Sequence, residues 1–162
     1  MIWAISFVKT FVKASVAAVI IIFSSASAFG SQCSISTTGI NFGSYDILSA
    51  APTDSTGSIS ISCNGNVSTV AISIGASSVS GSFQPRDMRS GLSPSYLLSY
   101  NLYTDSSRSV IWGDGTLGTQ TVIISPVKRN TTYNQIIYGR IPTSQDVYYG
   151  PYSDTLTVTV TW

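Results

Sequence analysis

The sequence predicts an all-β fold, an immunoglobulin-like sandwich, on three observations. Short stretches of alternating apolar and polar residues recur along the chain with turn residues between them. No window holds a 3.6-residue apolar period over ten residues, so no helix is expected. The sequence also closes on an unusually regular alternation, Tyr152 to Trp162, read Y-S-D-T-L-T-V-T-V-T-W. There Leu156, Val158, Val160 and Trp162 share one face, and Thr155, Thr157, Thr159 and Thr161 the other. Period two and β-branched residues describe a half-buried strand, and a terminal strand commonly lies at a sheet edge.

Taken in order, Cys33–Ser36 and Gly39–Phe42 read as a broken first strand. Gly57–Cys63 alternates Ile59, Ile61 and Cys63 with serines and is ended by Asn64-Gly65-Asn66. Thr69–Gly75 alternates through Val70, Ile72 and Ile74. Ala76–Leu92, rich in Ser and Gly, reads as a connection with at most a short strand. Tyr96–Thr104 places Tyr96, Leu98, Tyr100 and Leu102 on one face, and Asp105–Gly118 is turn-rich. Thr121–Ile124, Tyr133–Ile141 and the closing segment complete a series of seven or so strands, the number a sandwich of this type uses.

The N-terminus is expected to lie outside that fold. Lys9 and Lys13 precede an apolar run, Ala14–Phe23, which is followed by Ala26-Ser27-Ala28. A charged start, a short apolar stretch and an A-x-A site make residues 1–28 a signal peptide, cleaved after Ala28. The run is about half of the roughly 20 residues a membrane span needs. The expected product is a single secreted domain, 29–162.

Charge and cysteine usage narrow the function. Eight basic residues oppose seven aspartates, and without Lys9 and Lys13 the balance is slightly acidic. That leaves no basic stripe to hold nucleic acid. Charged residues make up 9% of the chain, while 47 serines and threonines supply its polarity. A hydroxyl-rich, charge-poor surface suits an exported protein that touches its own kind. Cys33 and Cys63 are an even pair in an exported chain and are expected to form a disulfide. A metal or redox pair is the rival, but there is no C-x-x-C spacing and no histidine to complete it.

The absence of histidine also removes Ser-His and Cys-His nucleophile activation. Asp114, in Trp112-Gly113-Asp114-Gly115, is the strongest candidate acid for a hydrolase, yet Gly-Asp-Gly is turn chemistry. Asp54, before Ser55-Thr56-Gly57, reads in the same way. Lys128 could serve a Ser-Lys dyad, but nothing selects a serine. Tyr148, Tyr149 and Tyr152 cluster near an expected loop and could form a sugar platform, although tyrosines of sandwiches more often pack within them. No enzyme, cofactor or metal is expected.

An ordered series of segments carries a resemblance: F-G-S-Y-D at Phe42–Asp46, L-S-A-A-P-T-D-S-T-G at Leu48–Gly57, and L-S-Y-N-L-Y-T-D at Leu98–Asp105. W-G-D-G, Y-G-R-I-P at Tyr138–Pro142 and G-P-Y-S-D-T at Gly150–Thr155 follow. The set resembles the spore coat protein U domain family, which includes subunits of archaic (Csu-type) chaperone–usher pili, from Cys33 to Trp162. The resemblance implies a sandwich that lacks its last strand and exposes a groove beside the C-terminal one. Leu156, Val158, Val160 and Trp162 would line one wall and Ile35 would contribute to the other. A periplasmic chaperone would lend a strand there, its basic anchor meeting the carboxylate of Trp162. At an outer-membrane usher, a neighbouring subunit's N-terminal extension would replace it. Only Phe29–Gln32 separate Ala28 from Cys33, against the ten or so residues needed to span such a groove. The subunit is therefore expected to accept a strand without donating one, at the distal end or start of a fibre, or in a coat. The alternative from another class is a secreted module that binds sugar, or a host or abiotic surface, through its tyrosine-rich loops.

Overall fold

The computed structural model describes the backbone of residues 4–11 and the whole of residues 31–162. The apolar run Ala14–Phe23 and the cleavage site at Ala28 lie outside the described residues. Every regular element described is a strand: β1 (Ala4–Phe11), β2 (Cys33–Thr38), β3 (Thr53–Cys63), β4 (Val70–Ile74), β5 (Arg86–Ser90), β6 (Leu97–Tyr103), β7 (Val122–Ile124), β8 (Thr132–Ile141) and β9 (Tyr152–Thr161). Hydrogen bonds run through them in the order β2-β3-β8-β6-β5-β9-β4-β7, with β1 on β9 off that path.

The path closes into two layers because β6 serves both. Its first half pairs with β5, Leu98 opposite Met88, and its second half with β8, Leu102 opposite Gly139. Alternation then puts one face of each strand inside. Ile59 and Ile61 of β3, Ile72 and Ile74 of β4, Leu98, Tyr100 and Leu102 of β6, and Ile137 and Ile141 of β8 are buried in one cluster. Each such side chain removed from water contributes roughly 1.5–3 kcal/mol. Trp112 fills the middle, its indole Nε1 donating to the Ile72 carbonyl at 3.0 Å while its backbone N–H donates to Leu102 at 2.9 Å. The two layers are tied through it.

Segments far apart in sequence meet at specific places. A Cβ on Gly139 would fall 2.7 Å from the Phe42 ring, so the glycine of Y-G-R-I-P makes room for the phenylalanine of F-G-S-Y-D. Asp54 sits opposite Arg140 across β3 and β8. Arg140 donates from Nε and Nη2 to its two carboxylate oxygens at 2.7 and 2.8 Å, and Arg108 Nε lies 3.2 Å away. The reading of Asp54 as turn chemistry is therefore corrected, since β3 begins before it and the partner is a cross-strand arginine that local pattern cannot reveal. Asp114 does make a turn, accepting from the backbone N–H and hydroxyl of Thr116.

Strand boundaries shift by a few residues, and β5 is the short strand expected within Ala76–Leu92. The N-terminal segment expected to be a leader contributes one described strand. Residues 4–11 form a strand along β9. A leader pattern describes charge and hydropathy and says nothing of which sheet edge the same residues could pair with.

Cys33 and Cys63 face each other across β2 and β3 and form the disulfide. It closes a loop of 30 residues, so Cys33→Ser should lower the unfolding free energy by roughly 3–4 kcal/mol, read from urea denaturation. The hydrogen bonds from Arg140, with the charge of Arg108, hold the Asp54 carboxyl below its ordinary value against a smaller opposing effect of burial. Its contribution to stability is thus present above about pH 4 and lost as pH falls through the folded-state value. Asp54→Asn should lower the urea midpoint at pH 7, with the difference from the parent chain shrinking below pH 3.

Candidate functional site: the edges of the last strand

β9 is the strand around which the candidate site is built. Buried and exposed residues alternate along it, with Tyr152, Asp154, Leu156, Val158 and Val160 inward and Ser153, Thr155 and Thr157 in solvent. One edge is shared by two neighbours. β5 pairs at its start, Ser90 opposite Tyr152, and β4 at its end, Ile74 opposite Val158 through Ala71 opposite Thr161. Between them the Gly75 N–H donates to the Thr157 carbonyl at 2.8 Å.

The other edge carries β1. Eight residues run parallel to β9 in unbroken register, from Ala4 opposite Ser153 to Phe11 opposite Val160. The other strand pairs among the described residues are all antiparallel, so this pairing stands apart. Leu156, Val158 and Val160 are buried in the central cluster, and Ile35 and Trp162 pack against it part-exposed. All five residues expected to line a groove therefore belong to one apolar body. Trp162 also donates from Nε1 to the Ser31 carbonyl at 2.9 Å, which brings the end of β9 to the start of β2. Ile35 and Ile61, with serines of β2 and β3 and Thr132 of β8, line a cleft of about 220 Å³.

What fixes β9 is a polar network absent from the sequence-based expectations. Asp154 is buried, and its Oδ2 accepts from the Tyr100 hydroxyl at 2.8 Å. Its Oδ1 accepts from the Ser78 hydroxyl at 2.6 Å and from the backbone N–H groups of Ser78 and Thr155. Burial, reinforced by the Asp154 charge and hydrogen bond, pushes the Tyr100 phenol far above its usual range, so it stays a donor. Arg86 is also fully buried. Its guanidinium donates to the carbonyls of Trp112 at 2.8 Å and Gly75 at 2.9 Å, and burial lowers its pKa to about 10, still charged at neutral pH. The carbonyls it satisfies flank the β4–β9 junction, so the arginine braces that edge. A signal for Asp154 existed: it interrupts the inward face Tyr152, Leu156, Val158, Val160 with a carboxylate.

The tyrosine cluster is redrawn. Tyr152 is buried in β9, its hydroxyl donating to the Tyr148 carbonyl at 2.9 Å. Tyr96, expected on the inward face of β6, is instead exposed and stacks on Tyr148, with centroids 5.4 Å apart. β6 begins one residue later, at Leu97, which releases Tyr96 into the preceding loop.

Comparison with known proteins joins this architecture to a family. The Spore Coat Protein U domain model matches residues 20–159, most of the chain, from before β2 to within two residues of the end of β9. The chain belongs to the spore coat protein U domain family. Protein U of Myxococcus xanthus is 34% identical over 152 residues, covering 82% of this chain and 79% of that protein. Among solved structures, the CsuC–CsuE chaperone–tip adhesion subunit pre-assembly complex from the archaic chaperone-usher Csu pili of Acinetobacter baumannii aligns with a TM-score of 0.57 at 25% identity. That match covers 82% of this chain, which spans only 40% of the matched chain. The Escherichia coli Hda pilus minor tip subunit HdaB lies farther off, with a TM-score of 0.42 at 18% identity, over 80% of this chain and 82% of its own. The fold is that of an immunoglobulin-like pilus subunit.

The buried network should be costly to break. Asp154→Ala strands the Tyr100 hydroxyl and Ser78 donors and should destabilise by about 2–4 kcal/mol. Tyr100→Phe removes one bond and leaves Asp154 its Ser78 partners, so about 1–2 kcal/mol is expected. Urea unfolding of the two variants beside the parent chain checks the order.

Proposed function

We propose that this chain is a structural subunit of a bacterial surface fibre or coat, completed by a strand that another chain supplies. The observation that carries the reading is the parallel eight-residue pairing on the edge of β9. The residues that fill this edge, Ala4–Phe11, belong to the segment read as a leader. Once a leader is removed after Ala28, the edge from Ser153 to Val160 stands open beside an apolar core. An open edge of that length invites pairing with whatever strand is near, and a cell that exports it needs a protein to cover it.

The route follows from this. A periplasmic chaperone lends a strand along β9, lined by Leu156, Val158, Val160 and Trp162 on one side and Ile35 on the other. An outer-membrane usher then exchanges it for the extension of a neighbouring subunit, and the product is displayed on the cell surface. The family membership and the likeness to a chaperone-bound Csu subunit support the route. With four residues between Ala28 and Cys33, this chain receives a strand and gives none, so it occupies a distal or initiating position.

Expression of the full-length gene with and without a cognate chaperone tests the reading, with N-terminal sequencing of the exported product. The expected result is a one-to-one complex by size-exclusion chromatography, beginning at Phe29, and aggregation or degradation without the chaperone. A processed chain that behaves as a stable monomer alone overturns the missing strand. A mature N-terminus well upstream of Ala28 overturns the acceptor-only position.

A further inference from the structure

The end of the sandwich where β9 begins carries a feature that strand acceptance does not use. Tyr96, Tyr148 and Tyr149 form a column of rings, 5.4 Å between the first pair of centroids and 4.4 Å between the second. All three are exposed, Tyr149 at 66%. Consecutive residues of an extended chain point to opposite sides, so stacking Tyr148 on Tyr149 requires a bent backbone. The chain bends at Tyr149 and Gly150, and Gly150 has a φ of +131° that suits glycine and a missing Cβ that leaves room for Leu92.

The column is held from behind. The Tyr152 hydroxyl grips the Tyr148 carbonyl, and the Gly91 N–H donates to the Pro151 carbonyl at 2.8 Å. Gln145 clamps the same loop to β6, its Oε1 accepting from the Ser99 N–H at 2.7 Å and its Nε2 donating to the Ser99 carbonyl at 2.8 Å. Tyr45, from a third loop, donates to the Pro142 carbonyl and accepts from the Gln145 N–H, both at 3.0 Å. Three loops thus fix three rings that remain exposed. Rigid, exposed tyrosines lose little conformational entropy when a ligand lands on them.

We infer that the Tyr96–Tyr148–Tyr149 column is a binding site for the pyranose rings of a neutral glycan. One face of a hexopyranose is a patch of C–H groups of suitable size to lie on a ring's electron-rich face, and the open face of Tyr149 offers that surface. The guanidinium of Arg89 donates from Nη1 to the Pro94 carbonyl at 3.3 Å, and no ring–cation contact with these three tyrosines is found among the described residues. The position fits display as well. Trp162 and Ser31 meet at the far end, and the ten residues of β9 put roughly 33 Å between that end and the column. The site does not rest on strand acceptance, because its rings stand on loops that β9's open edge does not touch.

The test uses the exported product of the full-length gene in whatever soluble form it takes, in native affinity gels containing a soluble β-glucan, a galactan or a mannan. At least one polysaccharide should retard the protein. Tyr149→Ala and Tyr148→Ala should each weaken the retardation about three- to tenfold, with thermal unfolding unchanged. Tyr149→Trp should preserve it, since stacking and not the phenol dominates. No retardation by any of the three overturns the inference, as does retardation that Tyr149→Ala leaves intact. Adsorption to bare polystyrene that falls in Tyr149→Ala, without glycan retention, assigns the column to hydrophobic surfaces and overturns it too. A change in chaperone dependence bears only on the strand, and glycan retention only on the column.

Discussion

Everything else in this molecule depends on what lies along the outer edge of β9. That strand supplies Leu156, Val158 and Val160 to the core, so the core's integrity is tied to how β9 is held. Its inner edge is shared by β4 and β5, and its outer edge is taken by residues 4–11 in parallel. A strand bonded on both edges satisfies its backbone groups, while a strand bonded on one leaves alternate N–H and C=O groups to water or to a partner. In the proposed reading, loss of β1 would leave the outer edge of β9 unpaired without altering a residue of the domain.

The domain has means to survive that change. Asp154 anchors the start of β9 through Tyr100 and Ser78, and Arg86 braces the carbonyls near its crossing with β4. The disulfide holds β2 to β3 at the opposite end, close to where Trp162 reaches Ser31. Charges buried this deeply are stabilising only when fully satisfied, and each here meets several partners. These bonds fix the inner edge of β9 without any contribution from β1. The loops bearing the tyrosine column are locked by separate bonds, so their geometry does not depend on what lies along the outer edge of β9.

Much of this was legible in the residues. The alternations at Gly57–Cys63, Tyr133–Ile141 and Tyr152–Trp162 became β3, β8 and β9 because period-two burial is a local property that a sequence displays directly. The cysteine pair followed from compartment and count, and the resemblance from an ordered series of segments. What escaped was non-local. Asp54 was read as a turn residue because Arg140, 86 positions away, is not visible from its neighbours. Arg86 stood in a segment read as a connection, yet it is buried to serve the carbonyls of Ile74 and Gly75 on one segment and Trp112 on another. Tyr152 and Tyr96 exchanged roles because a one-residue difference in where a strand begins decides which way a ring faces. β1 was hidden by its own leader pattern, which reports on export and not on pairing.

Hydrogen exchange along β9 tests the central claim most directly, comparing the product retaining residues 1–28 with the processed one. In a strand, alternate amides point to opposite edges. With the leader present, all amides from Ser153 to Val160 should exchange slowly. After processing, and without an added strand, the set facing the outer edge should lose protection while those facing β4 and β5 keep theirs. Adding a chaperone should restore the lost set. Equal protection of both sets in the processed chain alone would contradict the account, since the outer edge would then be closed from within the domain.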